Sequence, residues 1–275
     1  HAMPLHKGDI IYAGFAQEPV HFTKNFYHDI EEGDDIAIEN GSIWTTVSKK
    51  HEQKLSLEVQ EPGQGYLHGG MGVNVPGKYL NVRRVGKDDL QHYGLAIDKC
   101  IEYVAVSYVR DFVDIEHAVR ALRFQQRRKH SVHMPIIVAK IEDGYGLAHL
   151  EDMIVQSHDH QIPLEILFGR GDFAIEVPGH QLPYAQNHLV KTCKALGTPV
   201  YVGTGVLESM QYAPGPSRAE INDVYWALRQ GADGFMLSGE TSNSRYPVEA
   251  VKELKTHVEQ YRGAMDARNR VIQTS

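Results

Sequence analysis

The stretch Ile136-Ile137-Val138-Ala139-Lys140-Ile141-Glu142 decides the fold. Its opening run is apolar on both phases and rich in β-branched residues, which reads as a strand covered on both faces, as in a parallel sheet flanked by helices. Its two charged residues come at the end, two positions apart, so both project to the same side.

Strand-like runs of the same kind occur at Tyr103–Tyr108, Leu164–Gly169, Pro199–Val202 and Gly234–Leu237. Amphipathic helical stretches separate them, at Ile115–Lys129, Leu147–Gln156, Pro183–Leu196 and Ser217–Gln230, and another follows at Pro247–Arg262. That alternation predicts parallel strands joined by crossover helices over residues 73–262. Ser217 and Glu220 have the spacing of a capping box. Tyr225 and Trp226 read as packing residues of their helix. Upstream, Asp9–Tyr12, Asp35–Glu39, Ser42–Ser48 and Lys54–Gln60 alternate or run apolar between turn residues, and Asn40-Gly41 is hairpin chemistry. Residues 7–72 therefore read as a small β domain. Residues 1–3 read as an expression scar, and 263–275 as a polar tail.

The chain has 275 residues, long enough to bury a sizeable core, with 42% hydrophobic and 23% charged residues. No apolar run approaches the roughly 18 residues of a membrane span. A net charge of −7 argues against a broad nucleic-acid-binding face. The two cysteines, Cys100 and Cys193, make no disulfide framework and fit a reducing, cytoplasmic compartment. His130 with His133 and His158 with His160 lie near strand beginnings and read as surface residues rather than zinc ligands.

Polar residues recur just beyond the strands: Lys140 and Glu142, then Asp172 in Gly169-Arg170-Gly171-Asp172, Thr204 in Gly203-Thr204-Gly205, and Ser238 and Glu240 after the last strand. In parallel β/α folds this is the end where active sites are built. Glu142 and Asp172 suit Mg²⁺ (or Mn²⁺), which typically takes one or two carboxylates with substrate oxygens and waters. Lys140 beside them would face a developing enolate oxygen. Gly171 would let a substrate approach the backbone, and Thr204 would contact the same substrate. The competing reading is plainer: strand-end polar residues also cap helices and form salt bridges.

Taken in order, these motifs resemble pyruvate kinase. The likeness runs through Ala105–Arg110, Ala139–Glu142, Arg170-Gly171-Asp172 with Glu176-Val177-Pro178, Leu207–Met210, Pro216–Glu220, Met236–Thr241 and Tyr246–Ala250, and covers nearly all of residues 7–262. Asn74-Val75-Pro76-Gly77 resembles the segment by which that family returns from its small β domain to its barrel. The resemblance implies a TIM-type β/α barrel with an all-β domain at the N-terminus. It also implies Glu142 and Asp172 as metal ligands, Lys140 as the group stabilising the enolate, Gly171, Asp172 and Thr204 at the substrate, and Ser238 in the proton-relay region.

The departures from the pattern carry expectations too. The match begins after the family's first three barrel strands, with their phosphate-binding Arg and K⁺ ligands, and lacks its C-terminal domain. Met71, after Gly69-Gly70, stands where the family has a nucleotide-binding Lys. The expectation is therefore a partial or partner-completed barrel, a homo-oligomer or a complex with another chain, with its K⁺ site lost. Its function would be metal-dependent stabilisation of a 2-oxo acid enolate (decarboxylation, C–C cleavage or C–C formation), as in a lyase or transferase, rather than ATP synthesis. Two alternatives stand beside it: phosphotransfer from phosphoenolpyruvate to ADP with the missing strands from another chain, and a non-catalytic regulatory protein.

Overall fold

The computed structural model describes residues 2–15, 20–82 and 85–273, with side chains to residue 264. Two sheets carry the chain. The first has six strands in the order β3-β2-β6-β5-β4-β8. They are β2 (Ile10–Gly14), β3 (Val20–His21), β4 (Asp35–Ile38), β5 (Ile43–His51), β6 (Lys54–Glu61) and β8 (Val73–Asn74). A separate two-stranded ribbon pairs β1 (Met3–Pro4) with β7 (Tyr66–Leu67), so Met3 sits opposite Leu67. Alternation along β5 buries Ile43, Thr45 and Val47. Ile43 and Val47 form one apolar cluster with Ile11, Ile36, Leu55, Leu57 and Val59.

The second sheet is parallel and five-stranded, in strictly sequential order: β9 (Tyr103–Val106), β10 (Ile136–Ile141), β11 (Leu164–Gly169), β12 (Val200–Gly203) and β13 (Gly234–Met236). Sequential order without a reversal is the winding of a barrel rather than of a doubly wound sheet. Among the described residues β9 and β13 each pair on one side only. The expected strands are all present. β9 ends two residues earlier than its sequence pattern suggests, at Val106.

The helices are α1 (Lys87–Asp98), α2 (Phe112–Arg128), α3 (Gly144–Ala148), α4 (Leu150–Asp159), α5 (Arg170–Glu176), α6 (Leu182–Ala195), α7 (Arg218–Gln230), α8 (Gly239–Ser242) and α9 (Pro247–Gln273). One phase of β10, β11 and β12 meets them: Ile137, Ala139, Ile141, Ile166, Phe168, Val200 and Val202 are buried with Ile115, Leu122, Met153 and Leu189. Burying one such side chain is worth about 1.5–3 kcal/mol. Ser217 accepts from the Glu220 N–H while Glu220 accepts from the Ser217 N–H, the capping box read from the sequence.

Three features differ from the sequence reading. Helix α1 was not expected, because its interior holds Gly94 and few apolar residues. That glycine is where α1 meets α2, since a Cβ there would lie 3.2 Å from Lys129 Cε. Helix α9 continues to Gln273, through most of the stretch read as a polar tail; nothing there breaks it as Pro would. Tyr225 and Trp226 are 47% and 59% exposed, meeting Tyr261 and each other on the outside rather than packing inward.

Two short stretches bind the first sheet to the second. The Gly77 N–H donates to Glu176 Oε2 at 3.1 Å. The Arg110 guanidinium lies over the Tyr79 ring and donates to the Leu80 carbonyl. The chain leaving β8 is thereby held across the C-terminal ends of β9 to β11.

Candidate active site

Lys140 is the fifth residue of β10, and Glu142 follows the strand. Lys140 Nζ lies 2.6 Å from Glu142 Oε1, and it donates at 3.2 Å to Ser107 Oγ beyond β9. Glu142 is only 2% exposed. Its second oxygen accepts from the Tyr108 N–H at 2.8 Å. Burial pushes the Glu142 carboxyl above its ordinary range, the Lys140 ammonium pulls against that, and the Asp172 charge adds to it.

Asp172 lies in the first turn of α5. The next residue, Phe173, is 1% exposed and packs edge-on against Phe168 of β11, which seats this short helix at the end of its strand. Asp172 Oδ1 accepts from the Tyr108 hydroxyl at 2.5 Å and from Asn74 Nδ2 at 3.2 Å. Asn74 Nδ2 also donates to the Tyr108 hydroxyl. Burial, and then the neighbouring Asp172, push the Tyr108 phenol up, so it is the protonated donor in this contact.

Lys140, Glu142 and Asp172, singled out from the sequence, thus form one group linked through Tyr108. Gly171 and Thr204 are brought together beside it, because a Cβ on Gly171 would lie 2.7 Å from Thr204 Cγ2. Thr204 has φ +67°, a left-handed backbone that is uncommon for a β-branched residue. A buried guanidinium holds it there: Arg170 donates to the carbonyls of Gly203, Thr204 and Gly205 and pairs with Asp223 at 2.6 Å. Ser238 stands apart. Its hydrogen bonds run to Glu240, Thr241 and Ser242 rather than to Glu142 or Asp172. Glu240 is an anchor, accepting from the Val206, Leu207 and Ser238 N–H groups.

The sequence reading missed Asn74, Tyr108, Arg170 and Glu176 as parts of this site. Glu176 ends α5, and burial above all raises its carboxyl to about 7. The Gly77 and Asn74 hydrogen bonds oppose that shift, while the Asp143 and Asp172 charges reinforce it.

Among the described residues no group of three or more His, Cys, Asp or Glu is arranged to hold a metal. The buried Glu142 and the half-buried Asp172, whose charges repel each other, still fit a hard divalent cation that draws its other ligands from substrate and water. Lysine carries three N–H donors, of which Glu142 and Ser107 take two, and the Lys140 side chain is 20% exposed. The group can therefore meet an anionic oxygen arriving from solvent.

Sequential parallel strands with charged residues gathered at their C-terminal ends define a β/α-barrel enzyme class. Residues 13–251 match the family description "Pyruvate kinase, barrel domain", and the chain belongs to the pyruvate kinase family. Its relatives include the pyruvate kinase of Geobacillus stearothermophilus, 35% identical over 226 residues, which cover 82% of this chain and 37% of the relative. The pyruvate kinase of Bacillus licheniformis is 33% identical over 227 residues, again covering 82% and 37%. That of Borreliella burgdorferi is 31% identical over 238 residues, covering 86% and 47%. The chain thus spans less than half the length of these relatives. No described helix is long and apolar enough to cross a membrane.

Proposed function

We propose that this site stabilises the enolate of a 2-oxo acid of the pyruvate or oxaloacetate type, in a lyase- or transferase-type reaction. The observation that carries the reading is the 2.6 Å contact of Lys140 with the buried Glu142, beside Asp172. Glu142 and Asp172 would hold Mg²⁺ or Mn²⁺, and a bound divalent cation supplies Lewis-acid polarisation of the 2-oxo group. Lys140 sets an ammonium against the oxygen on which negative charge develops, a preorganised charge that needs little rearrangement. In decarboxylation of oxaloacetate the C3–C4 bond breaks, CO₂ leaves, and its electron pair passes to the enolate oxygen; a proton at C3 then gives pyruvate. Thr204, fixed by Arg170, lines the substrate side with Gly171, and Ser238 belongs to the proton-delivery side. The six-stranded sheet serves as the small β domain, the strand–helix part as the catalytic barrel.

The test is oxaloacetate decarboxylation with and without Mg²⁺. Wild-type protein accelerates it in a metal-dependent way and Glu142→Gln abolishes the acceleration; equal rates for the two proteins would sink the reading. A second reading, phosphoryl transfer from phosphoenolpyruvate to ADP, is favoured by the relatives named pyruvate kinase. Pyruvate formation from phosphoenolpyruvate that depends on ADP, Mg²⁺ and K⁺ would establish it, with further barrel strands supplied by another chain if this one is inactive alone.

A further inference from the structure

We propose that Tyr108 is the positioning residue of the cation site, setting the two carboxylates relative to each other and tying them to the six-stranded sheet. The inference rests on the assignment of Glu142 and Asp172 as cation ligands and extends it to a residue outside the ligand pair.

Three observations carry it. Tyr108 holds one carboxylate with each end: its backbone N–H is 2.8 Å from Glu142 Oε2, and its hydroxyl is 2.5 Å from Asp172 Oδ1. Its backbone has φ +53°, a conformation that a bulky aromatic residue adopts only when its surroundings enforce it. The enforcement is visible: the following N–H, that of Val109, donates to the Lys140 carbonyl at 3.1 Å, pinning the turn to the strand that carries Lys140 and Glu142. Finally, the hydroxyl accepts from Asn74 on β8 of the other sheet, and Asn74, 5% exposed, also reaches Asp172.

The carboxylate-to-carboxylate relation is therefore set by one residue, through its backbone N–H on one side and its hydroxyl on the other. Glu142 comes from the end of β10 and Asp172 from α5, and Tyr108 bonds to both. Partners of this outer kind orient ligands, and losing one typically weakens metal binding about 10–100-fold. Two carboxylates that depend on a shared partner also make the site sensitive to the six-stranded sheet: a shift of β8 moves Asn74, and with it the hydroxyl and Asp172.

The experiment is Mn²⁺ binding to the whole chain, read from the electron paramagnetic resonance of the free ion, for wild type, Tyr108→Phe, Asn74→Ala, Glu142→Gln and Asp172→Asn. Thermal unfolding of each protein is recorded alongside. The expected result is Mn²⁺ binding about 10–100-fold weaker in Tyr108→Phe with an unchanged unfolding midpoint. Asn74→Ala, which leaves the turn in place, weakens binding in the same direction and serves as the test should Tyr108→Phe fold poorly. Wild-type affinity in Tyr108→Phe, or in Asn74→Ala if the phenylalanine variant does not fold, overturns the proposal while leaving the cation site standing. Mn²⁺ binding that survives both Glu142→Gln and Asp172→Asn overturns the site assignment itself, and the proposal with it.

Discussion

Gly169→Ala places one methyl group against the best-buried charge of the site. The new Cβ would lie 2.6 Å from Glu142 Cγ, 2.9 Å from Oε1 and 3.1 Å from Cδ. Carbon atoms in contact normally stand about 3.5–4.0 Å apart, so Glu142 must retreat by roughly 1 Å. It has nowhere free to go, being 2% exposed and held at 2.6 Å by Lys140 and 2.8 Å by Tyr108. Overpacking costs about 1–3 kcal/mol, and a hydrogen bond to a charged group about 1.5–3 kcal/mol. Partial relaxation of Glu142 makes these overlap, so the expected destabilisation is about 2–4 kcal/mol. A reacting group displaced by about 1 Å loses on the order of 10²-fold in rate. Urea unfolding reads the first effect and Mg²⁺-dependent oxaloacetate decarboxylation the second. Gly144→Ala is the control: it lies two residues beyond Glu142, a Cβ there meets nothing within 4 Å, and alanine in α3 is worth about 0.5–1 kcal/mol of added stability. Gly169→Ala within about 0.5 kcal/mol of wild type, with its activity intact, would refute the argument.

Two further perturbations address the supports of the site. Glu240→Gln leaves one carbonyl oxygen where two carboxylate oxygens serve the Val206, Leu207 and Ser238 N–H groups, so at least one buried donor loses its acceptor. The expected loss is about 2–3 kcal/mol in urea unfolding, and a change below about 0.5 kcal/mol would show that Glu240 is not an anchor. Glu176 has its folded carboxyl raised from 4.5 to about 7, so between those values the folded state binds more protons than the unfolded. Its contribution to stability is full below about pH 4.5 and is lost as pH rises through about 7. At 1.36 kcal/mol per unit the shift is worth at most about 3 kcal/mol, and solvent screening of a partly exposed group reduces it to about 1–2 kcal/mol. Glu176→Gln therefore raises the unfolding midpoint at pH 8 but not at pH 4; an equal shift at both would show that the charge is not the cause.

Much of the parallel sheet was legible because its strands are apolar on both faces, which leaves few other assignments for Ile136–Ile141 or Leu164–Gly169. The Lys140 and Glu142 pairing followed from a spacing of two at a strand end, and Asp172 from its place beyond the next strand. Tyr108 was hidden by the same logic. It ends an apolar-looking run and reads as one more strand residue, whereas the strand stops at Val106 and the chain turns through a left-handed residue that no local signal announces. Asn74 belongs to another sheet, so its contact with Asp172 is a tertiary fact with no periodicity behind it. Arg170 looked like part of a glycine-bordered loop; only the fold puts three successive carbonyls around its guanidinium. Ser238 was picked out by its position after a strand, and its hydrogen bonds run within α8, to Glu240, Thr241 and Ser242.

The most direct measurement is proton NMR of pyruvate in D₂O with this chain, with and without Mg²⁺, for wild type and Glu142→Gln. The account predicts loss of the methyl signal through enolate formation for wild type with Mg²⁺ only, and none for the variant. Exchange at the same rate in both proteins, or exchange indifferent to Mg²⁺, would contradict it.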